Sequence, residues 1–425
     1  MTVLLFVLLF AGLFLGLPVG VALLGSSILF FVVEGLPELT VLQRMIGGLD
    51  SFPVLAVPFF ILAGSLMNAV SVTDRIFDFA LACVGWLRGG LGHVNVAASV
   101  IFSGMSGAAV ADAGGMGSIE IKAMRDAGYD DRFAIGITAA SSVIGPLIPP
   151  SLPMIFYGVV ASESIGRLFM AGVVPGLLTA LMLSLMVVVI SKRRGYGRDR
   201  SFAWIALVHS FRRAFLSLLT PVIIIGGIVS GMVTPTEAAI AAVFYTLFLG
   251  LVVYRNLTMK KLASVMLETV EATGSVMFVV ASATVFAWIL TANHLTEQLA
   301  GLLLSIADNK IAILLIINLI LLIVGCFLET IAAITILVPV LLPIAVQFGV
   351  SPEHFGVIVV FNLMIGLLTP PIGMVLFVLS RVAQVPFERA VAGTIPFFIP
   401  LFIVLAIITF VPAVSTWLPG VIYGP

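Results

Sequence analysis

Charge is what this sequence has least of. Its 425 residues include 20 Lys or Arg and 20 Asp or Glu, 9% charged in all and zero net charge, against roughly a quarter charged in soluble domains. That scarcity excludes a large water-soluble protein. No basic tract carries interleaved aromatics, which argues against nucleic acid as a partner. Only two cysteines occur, Cys83 and Cys326, each in an apolar stretch, and no Cys/His spacing suits zinc or an iron–sulfur cluster. The four histidines (His93, His209, His294, His354) fall at expected segment ends or in a linker, so no histidine proton relay is expected.

What is there is apolar: 61% of the residues. The runs 2–33, 171–190, 238–253 and 395–411 are long enough to cross a bilayer core. Residues 1–33 start like a signal peptide but lack a basic leader and run on too long. They are expected to stay as a membrane segment, crossing once or bending at Gly16–Pro18. Stretches 74–87 and 296–306 are short and amphipathic and read as interfacial helices.

Sliding the sequence against itself reveals a repeat at an offset of 221 residues. Residues 144–175 align without a gap to 365–396, with Ile144, Gly145, Leu147, Pro149, Pro150, Phe156, Ala171, Gly172 and Pro175 recurring as identical residues. Gly128 falls on Gly349. The turn around Gly128 carries Lys122, Arg125 and Arg132, whereas the stretch around Gly349 carries no Lys or Arg, so the positive-inside rule puts the two on opposite sides. Onward from the first turn, 133–160 exits and 171–190 returns to the most basic stretch, Lys192 to Arg213. Spans near 216–232 and 236–254 then arrive at Arg255, Lys260 and Lys261. The fold class expected is an all-α polytopic membrane protein with an inverted-topology repeat: residues 1–190, a basic cytoplasmic linker 191–215, and residues 216–425. The linker's arginines are topological determinants or, alternatively, a lipid-surface contact.

Each half interrupts its own spans twice. Gly145-Pro146-Leu147-Ile148-Pro149-Pro150 and Gly366-Leu367-Leu368-Thr369-Pro370-Pro371 sit mid-span. A proline has no N–H for the carbonyl four residues back, so the Gly145 and Gly366 carbonyls are expected to be free. Free carbonyls in a dry interior suit a small hard cation such as sodium. Thr369 adds a hydroxyl, where Ile148 offers only its carbonyl. One such break is equally a plain proline kink; two at repeat-equivalent positions favour a functional pair. Ahead of each break, residues 103–109 and 325–330 interrupt apolar runs and read as tips of re-entrant helical hairpins. Asp112 and Glu329 are isolated carboxylates there. Asp112 is a helix-start residue or a cation or substrate contact; for Glu329 the functional role is favoured. Ser141, Ser151 and Asn362 lie near the breaks, where each could face substrate or bond a neighbouring carbonyl. Thr236 and Glu237 after Pro235 mark a helix start.

Six stretches together resemble the large membrane subunit of tripartite ATP-independent periplasmic (TRAP) transporters. They are residues 59–67 (FFILAGSLM), 89–96 (GGLGHVNV), 103–112 (SGMSGAAVAD), 147–151 (LIPPS), 234–239 (TPTEAA) and 368–373 (LTPPIG). Singly they are weak; their order over nearly the whole chain is specific. The resemblance implies a sodium-driven elevator-type importer of organic acid anions in the bacterial inner membrane. Its partners would be a small four-helix membrane subunit and a soluble periplasmic substrate-binding protein. With no small-subunit sequence at the N-terminus, that subunit is expected as a separate chain. Carried over by position, Ser103, Ser106, Gly145, Ile148 and Pro149 look like one sodium site, and Gly325, Gly366 and Thr369 like a second. Substrate would lie near Ser106, Ser151, Glu329 and Asn362. The family often has an adjacent Gly-Ser pair in the first tip, where this chain has Gly104-Met105-Ser106.

Three other readings compete. A stand-alone sodium/carboxylate symporter would share the hairpins but need no binding protein. An intramembrane serine protease matches Gly104-Met105-Ser106-Gly107 but lacks a base inside a later span. A passive channel lacks charged pore rings.

Overall fold

The computed structural model describes residues 2–199, 201–295, 297–298, 301 and 309–424. Among them the chain is helical, with no strand beyond one isolated bridge between Arg88 and Arg198. The helices are α1 Thr2–Phe14, α2 Val19–Glu34, α3 Leu39–Leu49, α4 Ala56–Ala69, α5 Val72–Val84, α6 Gly90–Ser106, α7 Ala109–Asp126, α8 Asp131–Ser142, α9 Leu152–Ala161, α10 Ile165–Arg194, α11 Trp204–Val229, α12 Pro235–Phe248, α13 Met259–Ala292, α14 Lys310–Gly325, α15 Thr330–Gln347, α16 Pro352–Gly366, α17 Met374–Ala383, α18 Phe387–Phe410 and α19 Ala413–Tyr423. Six of the described helices are long and apolar enough to cross a bilayer, counting α12 with its π-helical extension to Val253.

Helix α10 shows why the chain needs lipid around it. Thr179, Leu183, Val187 and Ser191 lie four residues apart and are buried, whereas Leu177, Leu181, Leu185 and Val189, on the same four-residue spacing, are exposed. A helix in water would put polar residues on that outer stripe; here the outer stripe is wholly aliphatic, and Thr179 and Ser191 lie on the inner one.

The N-terminal run bends, α1 giving way to α2 across Leu15–Pro18. Helix α11 starts at Trp204, so residues 204–215 of the expected linker are its first turns and only 195–203 connect it to α10. The amphipathic stretch beginning at Asp74 is helical as α5, which packs on α6 and α11. The other interfacial helix expected, 296–306, falls almost wholly outside the described residues. Thr234 caps α12 in a reciprocal capping box with Glu237.

The 221-residue offset reappears in three dimensions. Helix α7 maps onto α15 end for end, α8 onto α16 at its start, and α9, α10 and α6 onto α17, α18 and α14 within a residue at their starts. The Pro149–Pro150 and Pro370–Pro371 bonds, equivalent under the offset, are both cis. Packing between the halves is reciprocal: α9 lies on α15, and its counterpart α17 lies on α7. Where α8 crosses α18, a β-carbon at Gly136 would overlap the Gly393 carbonyl, and one at Gly393 would overlap that of Arg132. Two backbones in contact need glycine on both sides.

Charged residues gather at two ends. At one, the ring of Tyr129, beside Gly128, lies 4.4 Å from that of Tyr196, just past α10, and Arg194 pairs with Asp130 at 3.1 Å. Burial, together with the hydrogen bond it donates to Asp199, raises the Tyr129 phenol above its usual range. At the other end, Arg167 binds Glu353 at 2.9 Å, and Tyr157 donates to the Pro352 carbonyl at 2.6 Å. Lys310, remote in sequence, donates to the Gly349 carbonyl at 3.0 Å, so the second turn has a basic neighbour in space that its own stretch lacks.

Candidate functional site

Each hairpin tip meets the broken helix of its own half. In the first half, α6 ends at Ser106, Gly107 turns the chain at φ +62°, and α7 starts at Ala109. The Gly107 carbonyl accepts the Leu152 N–H at 3.2 Å, tying the tip to the far side of the break. A β-carbon at Gly107 would collide with the Pro150 carbonyl, so glycine is required here by both dihedral and contact. In the second half, α14 ends at Gly325, and a β-carbon at Gly366 would lie 2.5 Å from the Gly325 carbonyl carbon. The two glycine backbones touch.

The two breaks differ in one hydrogen bond. The Ile148 N–H bonds to the Ile144 carbonyl at 3.1 Å, and the Gly145 carbonyl accepts no hydrogen bond among the described residues. Gly366 departs from expectation, because its carbonyl accepts the Thr369 N–H at 2.9 Å. The cause is the side chain: the Thr369 hydroxyl donates to the Ile365 carbonyl at 2.9 Å, the acceptor that the equivalent Ile148 N–H uses. Isoleucine has no hydroxyl with which to make that exchange. The Gly366 oxygen therefore keeps one lone pair and Gly145 both.

The remaining candidates divide between these sites and plain structural duty. Ser103 is buried and donates to the Val100 carbonyl at 2.6 Å, leaving its oxygen able to accept or to coordinate. The Ser106 backbone closes α6; its side chain lies outside what the structure describes. Ile148 packs against α10, where Gly176 makes room for it, so only its carbonyl is available. Pro149 has no N–H, which is why Gly145 lacks a partner. Ser151 donates to the Pro146 carbonyl and caps α9 by accepting the Met154 N–H at 3.2 Å. Glu329 caps α15, accepting from the Ile331 and Ala332 N–H groups at 3.0 and 3.4 Å. Asp112 differs: it is buried near the Ser99 hydroxyl, and neither carboxylate oxygen is in a hydrogen bond of normal geometry. Asp112 lies in the first turn of α7, where its charge meets the helix dipole as considered, but unlike Glu329 it makes no capping hydrogen bond, which leaves its acceptors free beside the first break.

Two buried polar networks were not legible in the motifs. Asn95 donates to Glu120 at 2.6 Å and to Thr138 at 2.7 Å, and accepts from Ser141 at 2.6 Å. In the second half Asn362, at the offset position of Ser141, donates to Asn318, which in turn donates to Thr409 at 3.2 Å. The available signal was that Asn318 is the single polar residue between Lys310 and Gly325. The Asn362 oxygen remains unpartnered one turn before Gly366. Among the described residues no three acidic, His or Cys side chains cluster as a metal site, so a cation here would be held mainly by neutral oxygens.

Residues 6–414 match the family model described as "Tripartite ATP-independent periplasmic transporter, DctM component". The chain belongs to that family. It is 50% identical to the sialic acid TRAP transporter large permease protein SiaM of Vibrio cholerae over 408 residues, 96% of each chain. It is 45% identical to the sialic acid TRAP transporter permease protein SiaT of Haemophilus influenzae over 411 residues, 95% of this chain and 66% of that one. The fold resembles that of the YdaH transporter of Alcanivorax borkumensis, with a TM-score of 0.56, 15% identity and 89% of each chain covered. As a TRAP large permease, the chain is a multi-pass protein of the bacterial inner membrane and a transporter subunit rather than an enzyme.

Proposed function

We propose that this subunit imports an organic acid anion from periplasm to cytoplasm, driven by sodium, in an elevator cycle. The observation that carries the reading is the pairing of each hairpin tip with the break of its own half, backbone against backbone, at repeat-equivalent positions. Such breaks present carbonyls and helix ends to ions at the membrane midplane. One sodium would sit among Ser103, Ser106 and the Gly145, Ile148 and Pro149 carbonyls, and the second among Gly325, Gly366 and Thr369. Substrate would lie between the tips, near Ser106, Ser151, Glu329 and Asn362. The Asn362 oxygen, lacking a partner, supports that candidate most; Ser151 and Glu329 would serve while also capping their helices. With the end bearing Lys122, Arg125, Lys192, Arg193 and Arg194 facing the cytoplasm, the two halves form an inverted repeat.

The names of SiaM and SiaT make sialic acid, a carboxylate-bearing sugar, the first substrate to try. A small membrane subunit and a periplasmic binding protein complete the machine. The test is uptake into proteoliposomes holding this chain and its co-encoded small subunit, with sialic acid, candidate binding proteins and an inward sodium gradient. Uptake requiring both sodium and a binding protein is expected. Sodium-driven uptake without any binding protein would instead establish a stand-alone symporter, and uptake indifferent to sodium would overturn the coupling.

A further inference from the structure

A groove of about 540 Å³ runs along the lipid-facing side between α6 and α10, with Val96, Ala97, Val100, Ala180 and Ser184 on its walls. Leu181 and Leu185, both exposed, form its rim. Two features at the basic end of the molecule distinguish it from ordinary lipid-facing surface. The first is His93, which lines the groove at 5% exposure with its Nε2 lacking any hydrogen-bond partner. A ring nitrogen left unpaired in an apolar groove needs a polar group from outside the protein.

The second is a pair of arginines. Leu87 lines both this groove and a polar recess formed with Trp86, Arg88, Gly197 and Arg198. Arg88 and Arg198 stand opposite one another in the isolated antiparallel bridge, which the Gly89 N–H closes on the Gly197 carbonyl at 2.7 Å. Like charges directly opposite across such a bridge repel. Among the described residues neither guanidinium has a carboxylate partner. The neighbouring acid, Asp199, is already engaged by the Leu91 N–H at 2.8 Å and the Tyr129 hydroxyl. Trp86, whose ring meets Phe202 edge-on, marks this end as the membrane–water boundary. An anion between the two arginines, attached to an apolar chain lying in the groove, satisfies all of these groups at once.

We propose that this groove is a specific site for one anionic phospholipid of the cytoplasmic leaflet. Its phosphate sits between Arg88 and Arg198, a headgroup hydroxyl donates to the His93 Nε2, and one acyl chain lies between α6 and α10. The site is independent of the sodium reading, and it gives the basic connection after α10 a binding role in addition to a topological one. The test is native mass spectrometry of the complex with the small subunit, released from nanodiscs of equal phosphatidylglycerol and phosphatidylcholine. One phosphatidylglycerol should be retained under activation that strips phosphatidylcholine. The double variant Arg88→Gln/Arg198→Gln should weaken that retention roughly thirtyfold, at about a fivefold factor per basic residue near a membrane surface. Ser184→Phe, which fills the groove and keeps both arginines, should remove it as well. Equal retention of the two lipids by the unaltered complex, or phosphatidylglycerol held as before by either variant, would overturn the proposal; the melting temperature in detergent confirms that each variant is folded.

Discussion

The single hydroxyl of Thr369 separates the two broken helices, and it makes the two glycines unequal targets. A β-carbon at Gly366 meets the Gly325 backbone at 2.5 Å, where neither chain can yield without moving a hairpin. At Gly145 the nearest atoms are 3.4 Å or more away. Gly366→Val should therefore abolish uptake while the protein still inserts and elutes as a single species, whereas Gly145→Ala should retain most uptake. Comparable activity in the two variants would refute the contrast. The sequence placed both glycines and the missing proline donors; it did not show that Thr369 would redirect its own N–H, because that depends on where a side-chain hydroxyl points. Asp112 and Glu329 make the same point. Both read as isolated carboxylates in apolar surroundings and both stand at a helix start, and only the structure tells that Glu329 spends its oxygens on capping bonds while Asp112 does not. Asp112→Asn keeps the shape and removes the charge. If Asp112 supplies negative charge to the first site, about a tenfold rise in the sodium concentration for half-maximal uptake is expected, and an unchanged sodium dependence would leave it a bystander.

Between helices, α8 and α18 approach glycine on glycine, with the rings of Phe133 and Phe397 packed 6.1 Å apart beside that contact. Gly136→Leu would drive a branched side chain into the Gly393 carbonyl, and overpacking of that sort costs roughly 1–3 kcal/mol or more. The expected result is a lower melting temperature in detergent; Gly226→Leu on α11, where a β-carbon meets nothing within 4 Å, should be close to neutral. The existence of these helices was legible from hydrophobic runs, and their breaks from proline and glycine. Their partners were not. Periodicity says which residues are apolar, and in a bilayer both faces of a helix are, so it cannot identify the face that meets protein. The start of α11 at Trp204 was hidden for a related reason: Trp204–Phe211 carries no Lys or Arg but lies between two basic runs, and it reads as linker until it is seen to be helical.

Across the whole molecule, the sorting of charge gives a direct test of sidedness. With Cys83 and Cys326 replaced by serine, Lys122→Cys and Gln347→Cys should be labelled by an impermeant thiol reagent from opposite faces of the membrane. Labelling from one face would refute the inverted arrangement. Lys310 shows the limit of counting charges by stretch, since it reaches the Gly349 carbonyl from a distant helix end.

By itself the sequence determined that this is a membrane protein with two related halves, because hydrophobic length and recurring Gly and Pro positions are properties of the chain. It also carried the family motifs, which are local by nature. Only the tertiary structure decided which tip meets which break, which carboxylate caps a helix, and which arginines face each other across α6 and α10. The tip–break and arginine relations join residues tens of positions or more apart, and the cap turns on where one side chain points. In a chain so poor in charge all of them depend on backbone contact and single hydrogen bonds that leave no periodic trace.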